Sequence, residues 1–200
     1  MIHLACTVPR KIYLACSGGS DSMAALNFFI NGKKDVTVLY FNHGTAHSEA
    51  VHNPLASYCE MLSIEFKAGF ITRPKEKQES LEEYWRNQRY EFFNQFTDAP
   101  IITCHHLDDA VETWLFTSIH GEGRLIPVQK EQYLRPFLLT RKHDLLQWCT
   151  DNFVPFWEDQ SNAECEHARN FIRNILMPGV LRINPGIHKV IKKKYLSATK

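Results

Sequence analysis

The sequence predicts an α/β fold: a doubly wound, mostly parallel sheet followed by a helical C-terminal region. Three observations predict it. Residues 11–16 (K-I-Y-L-A-C), 36–41 (V-T-V-L-Y-F) and 101–104 (I-I-T-C) are short apolar runs without polar alternation, the pattern of strands buried on both faces. Helix-patterned segments separate them, and the first two runs are spaced as in a right-handed crossover unit. The pair Gly18 and Gly19 follows the first run directly, so the chain reads strand, tight turn, helix.

Taken in order, residues 21–30 form the first helix, with Met23, Ala24, Leu26, Phe28 and Ile30 as its apolar positions and Asn31-Gly32 as its exit. A helix over about 48–62, a strand-like Ile64-Glu65-Phe66 and a long helix over about 80–96 continue the alternation. Helical patterning resumes at Asp108, runs to about Ile119 and breaks at Gly121-Glu122-Gly123. The chain is then less regular until a helix near 141–152, and the last part reads as helical and appended. The expected division is a core over residues 1–132 and a helical region with a basic tail over residues 133–200.

With 200 residues, one substantial core plus a small appendage is expected. Hydrophobic residues make up 44% and charged residues 22%, which sets aside the disordered and membrane classes. No apolar run approaches bilayer length and the start lacks a basic leader, so a cytoplasmic protein without membrane association is expected. The cysteines (Cys6, Cys16, Cys59, Cys104, Cys149, Cys165) include no C-x-x-C pair, which argues against a disulfide framework or a zinc ribbon. Lys189, Lys192, Lys193, Lys194 and Lys200 crowd one end, where either a polyanionic partner or a solvated tail fits.

Residues 17–22, Ser17-Gly18-Gly19-Ser20-Asp21-Ser22, lie beyond the carboxyl end of the first strand, where open parallel sheets bind ligands. Gly18 and Gly19 leave room for an oxyanion, the helix start offers N–H groups, and Ser17, Ser20 and Ser22 add hydroxyl donors. Asp21 would repel a phosphate directly; it suits a Mg²⁺ ion bridging phosphates, or a helix cap. The hexapeptide matches neither G-x-x-x-x-G-K-[ST] nor G-x-G-x-x-G.

A second cluster, His105-His106-Leu107-Asp108-Asp109-Ala110-Val111-Glu112-Thr113, follows the strand ending at Cys104 and should face the first across the same sheet edge. Asp108 with Glu112, or Asp109 with Glu112, can share a helix face. A carboxylate that first holds an ammonium and then accepts its proton suits an amine nucleophile, and Asp109 and Glu112 are the candidates. A zinc reading of the histidines and acids is weaker, because the segment is not H-E-x-x-H. Acids that complement a helix N-terminus are the plainer alternative.

The hexapeptide resembles the PP-loop, S-G-G-x-D-S. With F-N-H-G at 41–44, H-H-L-D-D-A-V-E-T at 105–113, R-P-F-L-L at 135–139, E-D-Q-S-N at 158–162 and R-N-F-I-R at 169–173, the chain resembles the tRNA(Ile)-lysidine synthetase family over nearly its whole length. The resemblance implies a nucleotide-binding core that cleaves ATP between its α and β phosphates with Mg²⁺. It further implies adenylation of the wobble cytidine of an isoleucine tRNA (CAU anticodon) at ring position 2, and displacement of AMP by free lysine.

Residue by residue, the resemblance makes Ser17, Gly18, Gly19, Ser20, Asp21 and Ser22 the ATP phosphate site and Asp21 the metal partner, with Asn42, His43 and His105 as further nucleotide contacts. Asp109 and Glu112 would handle lysine. Arg86 and Arg89 resemble the family's arginine-bearing helix, Arg86 being the candidate for charge developing on the α-phosphate and Arg89 for tRNA. Arg169 falls near the reacting phosphate or tRNA and Arg173 on tRNA, with surface pairing to Glu164 or Glu166 as the alternative. Many family members carry further C-terminal domains that help hold tRNA, so that task is expected of Lys192, Lys193 and Lys194.

The chain also departs from the family pattern. Asn42 stands where His is frequent, and His120 where Arg is common. Pairing of two copies stays open. The rival readings are a tRNA sulfur transferase, which needs a sulfur-carrying cysteine or an iron–sulfur cluster, and a nucleotide-binding regulator without chemistry.

Overall fold

The computed structural model describes residues 1–158 and 171–198. Strands and helices alternate as β1 (Lys11–Ala15), α1 (Ser20–Asn31), β2 (Asp35–Asn42), α2 (Ala46–Met61), β3 (Glu65–Phe70), α3 (Leu81–Phe93), β4 (Ile101–Ile102) and α4 (Leu107–Ile119). Then come β5 (Gln129–Lys130), β6 (Tyr133–Leu134), a 3₁₀ turn (Pro136–Leu139) and α5 (Lys142–Asp151). A π turn (Ile172–Leu176) leads into α6 (Met177–Ile183) and α7 (Ile187–Ala198).

The six strands form one sheet in the order β3-β2-β1-β4-β6-β5. Every pairing is parallel except β5 with β6. Because β1 pairs with β2 on one side and β4 on the other, the strand order reverses beside β1. The carboxyl ends of β1 and β4 therefore open into one crevice, the place where such sheets hold ligands.

Both sides of the sheet are covered, so the inner strands carry apolar residues at successive positions: Ile12, Tyr13 and Leu14 are all buried. Helix α1 is enclosed almost all round, with Ser20, Ser22, Met23, Ala24, Ala25, Leu26 and Phe29 buried. Phe28 and Phe29 meet the ring of Phe137, and Trp148 Nε1 donates to Asn27 Oδ1 at 3.0 Å, which fixes α5 against α1. A second core forms where Ile187, Ile191 and Tyr195, spaced four apart on α7, pack with Leu107, Ala110 and Val111 of α4. Both loops at the crevice thus spring from helices locked by packing.

The β5–β6 hairpin is absent from the sequence reading. Two-residue strands carry no periodicity to detect. Residues 132 and 133 lie within this hairpin, and β6 joins the parallel sheet as Ile101 N donates to Gln132 O and Thr103 N to Leu134 O, both at 2.9 Å. Among the described residues no helix is long and apolar enough to cross a membrane.

Candidate functional site

The turn from β1 to α1 has a steric requirement at Gly18. Its φ is +83°, and a Cβ there would stand 2.5 Å from Val51 Cγ1 and 3.3 Å from Trp157 Cε3. Only glycine fits both the backbone and the space. Trp157 N donates to Gly18 O at 2.9 Å, so a residue far along the chain pins the loop. Gly19 caps α1 without a side-chain acceptor, which leaves the leading N–H groups of the helix available to an anion. Ser22 Oγ is committed to Gly19 O at 2.9 Å and Ser20 is buried, whereas Ser17 is exposed.

Asp21 faces the crevice from the first turn of α1. Its Oδ2 lies 3.6 Å from His106 Nε2 and 3.9 Å from Lys142 Nζ, while Oδ1 is buried without a hydrogen-bond partner. A buried carboxylate oxygen left open beside a phosphate-type loop fits a Mg²⁺ ion, which needs only one or two protein carboxylates when phosphates and water supply the rest. Among the described residues no three His, Cys, Asp or Glu side chains converge as a metal cage, and the paired histidines diverge. His105 Nδ1 is 3.1 Å from Thr103 Oγ1, while His106 turns inward.

His106 is the residue that sequence reasoning passed over in favour of His105. It is the N-cap of α4: its Nδ1 accepts from Asp109 N at 3.2 Å, and Asp109 Oδ2 accepts from His106 N at 3.0 Å. This reciprocal box is legible in retrospect as H-x-x-D before an apolar helix. Burial opposes the protonated imidazole, yet Asp21, Asp109 and Asp108 around it outweigh that and raise its pKa. His106 thus links the 17–22 loop to the acidic helix.

The three acids of α4 divide by their partners. Asp108 Oδ1 is 2.9 Å from His188 Nε2 and Oδ2 accepts from Lys142 N at 2.8 Å, joining α4, α7 and α5. Burial pushes its pKa up, but these hydrogen bonds prevail and hold it well below the usual carboxylate range. Glu112 is buried and its pKa is raised by desolvation, which Arg173 offsets only in part. Arg173 donates through Nε to Glu112 Oε1 at 2.7 Å, and through Nη2 to Glu112 Oε2 at 3.0 Å and Asp109 Oδ1 at 3.2 Å. Arg173, expected on tRNA, instead sits on the two carboxylates expected to handle the amine.

Arg86 and Arg89 line a cleft of about 650 Å³ between α3 and α4, together with His43, Trp85, Glu112 and Phe116. Arg86 is exposed and lies over the Tyr90 ring at 4.8 Å. Asn42, expected at the nucleotide, is committed inside the protein: Nδ2 donates to Glu49 Oε1 at 3.0 Å, and Oδ1 accepts from Gly44 N and Ser48 Oγ, each at 2.8 Å. It shapes the turn into α2. Lys193 and Lys194 are exposed on α7 and Lys192 is half-buried, with Lys194 Nζ 5.8 Å from the Trp114 ring. Arg169 and most of the 158–162 motif lie outside the described residues.

A glycine-dependent anion cradle at the sheet's switch point, with an open carboxylate on its helix, defines a class of nucleotide-binding protein. The chain belongs to the PP-loop domain family, whose model matches residues 3–180. Among particular proteins it is similar to the tRNA(Ile)-lysidine synthase of Francisella philomiragia, 31% identical over 92% of this chain and 49% of that protein. It is also similar to the tRNA(Ile)-lysidine synthase of Petrotoga mobilis, 32% identical over 88% of this chain and 61% of that protein. The chain therefore spans about half the length of these curated relatives. The NH3-dependent NAD synthetase of Campylobacter jejuni shares the fold, with a TM-score of 0.50 over 94% of this chain and 84% of that one at 14% identity.

Proposed function

We propose that the chain carries the catalytic domain of an ATP-dependent tRNA-modifying ligase that joins lysine to the wobble cytidine of an isoleucine tRNA. The observation that carries this reading is the shared crevice, in which Asp21 of the phosphate loop stands 3.6 Å from His106 at the head of the acidic helix. Relatives named tRNA(Ile)-lysidine synthase support the choice of RNA and amine.

In the proposed reaction the cytidine O2 attacks the α-phosphorus of ATP, the bond to the β-phosphate oxygen breaks, and pyrophosphate leaves. A lysine amine then attacks ring carbon 2, and AMP departs with the former O2. Residues 17–22 hold the phosphates, and Asp21 is the residue that would hold Mg²⁺. The ion would neutralise phosphate charge. Arg86 and Arg169 are proposed to face charge on the α-phosphate. Asp109 and Glu112 are proposed to hold the ammonium and accept its proton, with Arg173 occupying that acid pair until the amine enters. The raised pKa of Glu112 suits a proton acceptor. Lys192, Lys193 and Lys194 add a basic surface for RNA.

Sulfur transfer through Cys104, the thiol next to the crevice, is disfavoured. Cys104 Sγ points to Ala15 O at 3.9 Å, and burial holds its pKa well above that of a free thiol, the opposite of what a sulfur-carrying thiolate needs. The test is mass spectrometry of nucleosides from a CAU-anticodon tRNA(Ile) transcript incubated with ATP, Mg²⁺ and lysine. A lysine-adducted cytidine is expected. Unmodified cytidine together with RNA-independent pyrophosphate release would overturn the reading.

A further inference from the structure

The crevice holds a cation that the sequence reading left out. Lys142 opens α5, and its Nζ stands 3.9 Å from Asp21 Oδ2, beyond hydrogen-bond length. The helix that carries it is held fast. Lys142 N donates to Asp108 Oδ2 at 2.8 Å, Cys149 Sγ to Ser20 O at 3.4 Å and Trp148 Nε1 to Asn27 Oδ1 at 3.0 Å. Ser20 and Asn27 belong to α1, the helix that follows the anion cradle. A fixed backbone thus delivers a flexible, half-exposed ammonium to the rim of the 17–22 loop. An ion pair this long and this open to water contributes little to folding, so stability does not explain its place.

Position decides which part of ATP this cation meets. His106 stands between two groups of charges: its Nε2 is 3.6 Å from Asp21 Oδ2, and its Nδ1, across the ring, is 3.4 Å from Asp109 Oδ2. Lys142 Nζ lies on the Asp21 side, whereas Glu112 and Arg173 lie on the Asp109 side. In the proposed reaction the amine waits at the acid pair and must reach ring carbon 2, so the neighbouring O2 approaches the α-phosphorus from there. An in-line displacement expels its leaving group on the opposite side. Pyrophosphate then departs toward Asp21 and Lys142.

We propose that Lys142 is a catalytic residue of the adenylation step: its ammonium binds the β- and γ-phosphates of ATP and stabilises the charge that gathers on pyrophosphate as the α–β bond breaks. The inference rests on the proposed function above. The acceptor oxygen bonds to the α-phosphorus, the bond from that phosphorus to the bridging oxygen breaks, and its electron pair stays on pyrophosphate. Lys142 acts through its charge, with no proton transferred. A point charge on a flexible stem can follow an anion as it moves away, which a fixed guanidinium fork does less well.

The test uses the whole chain with Lys142→Met, Lys142→Gln, Lys142→Arg and the neighbouring Arg141→Met, and three probes with Mg²⁺: ATP, inorganic pyrophosphate and AMP. By calorimetry, both uncharged variants should bind ATP and pyrophosphate about tenfold more weakly and AMP within about twofold of wild type. RNA-dependent pyrophosphate release at saturating ATP should fall about 100-fold in them, and Lys142→Arg should recover most of both losses. Arg141→Met, which removes an exposed charge one residue away, should change neither binding nor release. Melting temperatures should stay close to wild type, because the contact removed is long and half-exposed.

AMP affinity lost in step with ATP, pyrophosphate affinity untouched by the uncharged variants, or an equal effect from Arg141→Met would each overturn the assignment. So would a wild type that binds no pyrophosphate. Nucleoside analysis of the wild-type reaction separates this inference from its premise. Binding of ATP and pyrophosphate that depends on Lys142, with RNA-dependent release but no lysine on the RNA, keeps Lys142 on the phosphates and sinks the proposed lysine transfer. Lysine transfer that proceeds at the wild-type rate in Lys142→Met sinks this inference alone.

Discussion

The first turns of α1 and α4 each present an aspartate to the same crevice, and the protein treats the two oppositely. Asp108 has both oxygens engaged, one by His188 and one by the Lys142 backbone, and so locks three helices together. Asp21 keeps Oδ1 buried and unpartnered, with His106 and Lys142 only at the edge of reach of its other oxygen. A carboxylate with both oxygens satisfied is architecture, whereas one with a buried oxygen left open beside a glycine-lined anion-type turn is prepared for a cation. Two residues of one type, each in a first helical turn, thus differ in role through their partners.

The largest effect expected from this contrast is on turnover. Asp21→Asn should lower RNA-dependent pyrophosphate release by about 1000-fold or more, the scale seen when a group stabilising developing charge is lost, with melting temperature close to wild type. Retained turnover would break the contrast at once. Gly18→Ala should follow, costing about 3 kcal/mol or more in urea unfolding because the new methyl meets Val51 and the backbone conformation is strained. Adding Val51→Ala should restore part of that loss by removing the clash; no restoration would place the strain elsewhere.

Asp108→Ala should cost about 2 kcal/mol, because His188 and the Lys142 N–H lose a buried partner. An equal loss in Asp21→Ala would erase the distinction between the two turns. Arg173→Met sharpens the comparison on the neighbouring acids. Glu112 would lose the partner that offsets its burial, so its pKa would rise further and the acid limb of the pH–rate profile would move to higher pH. The sign for stability is set by the same shift: above the unfolded value of 4.5 the native state holds the proton longer, so stability falls as pH rises through that window, more steeply in the variant. An unmoved acid limb would remove Glu112 from proton transfer. The smallest effect is expected on the outer face of α7, where replacing Lys192, Lys193 and Lys194 by Ala should weaken tRNA binding severalfold at low salt and little at high salt. A salt-independent loss would point to a packing role instead.

Much of this was legible before any coordinates. Unalternating apolar runs at residues 12–14 and 36–41 marked strands covered on both faces, and the glycine pair after the first run marked the anion turn. The clusters at 17–22 and 105–113 were expected to face each other, and Asp21 and His106 bring them together. Histidines 105 and 106 were not distinguishable by composition; only the capping geometry turns one inward and leaves the other at Thr103. The resemblance makes Asn42 a nucleotide contact, whereas its amide closes the turn into α2.

What the sequence determined by itself is what neighbours along the chain dictate: strand and helix periods, the turn that needs glycine at position 18, and the class of ligand such a turn attracts. What only the tertiary structure decided is which charges meet. Arg173 is 61 residues from Glu112 in the chain and reaches it only because the helices that carry them pack together. Around Arg89 burial lowers the pKa, an effect of the packed fold and not of its neighbours along the chain. Local patterns are written in periods of a few residues, but Coulomb attraction and desolvation depend on distance through space, which the fold alone supplies.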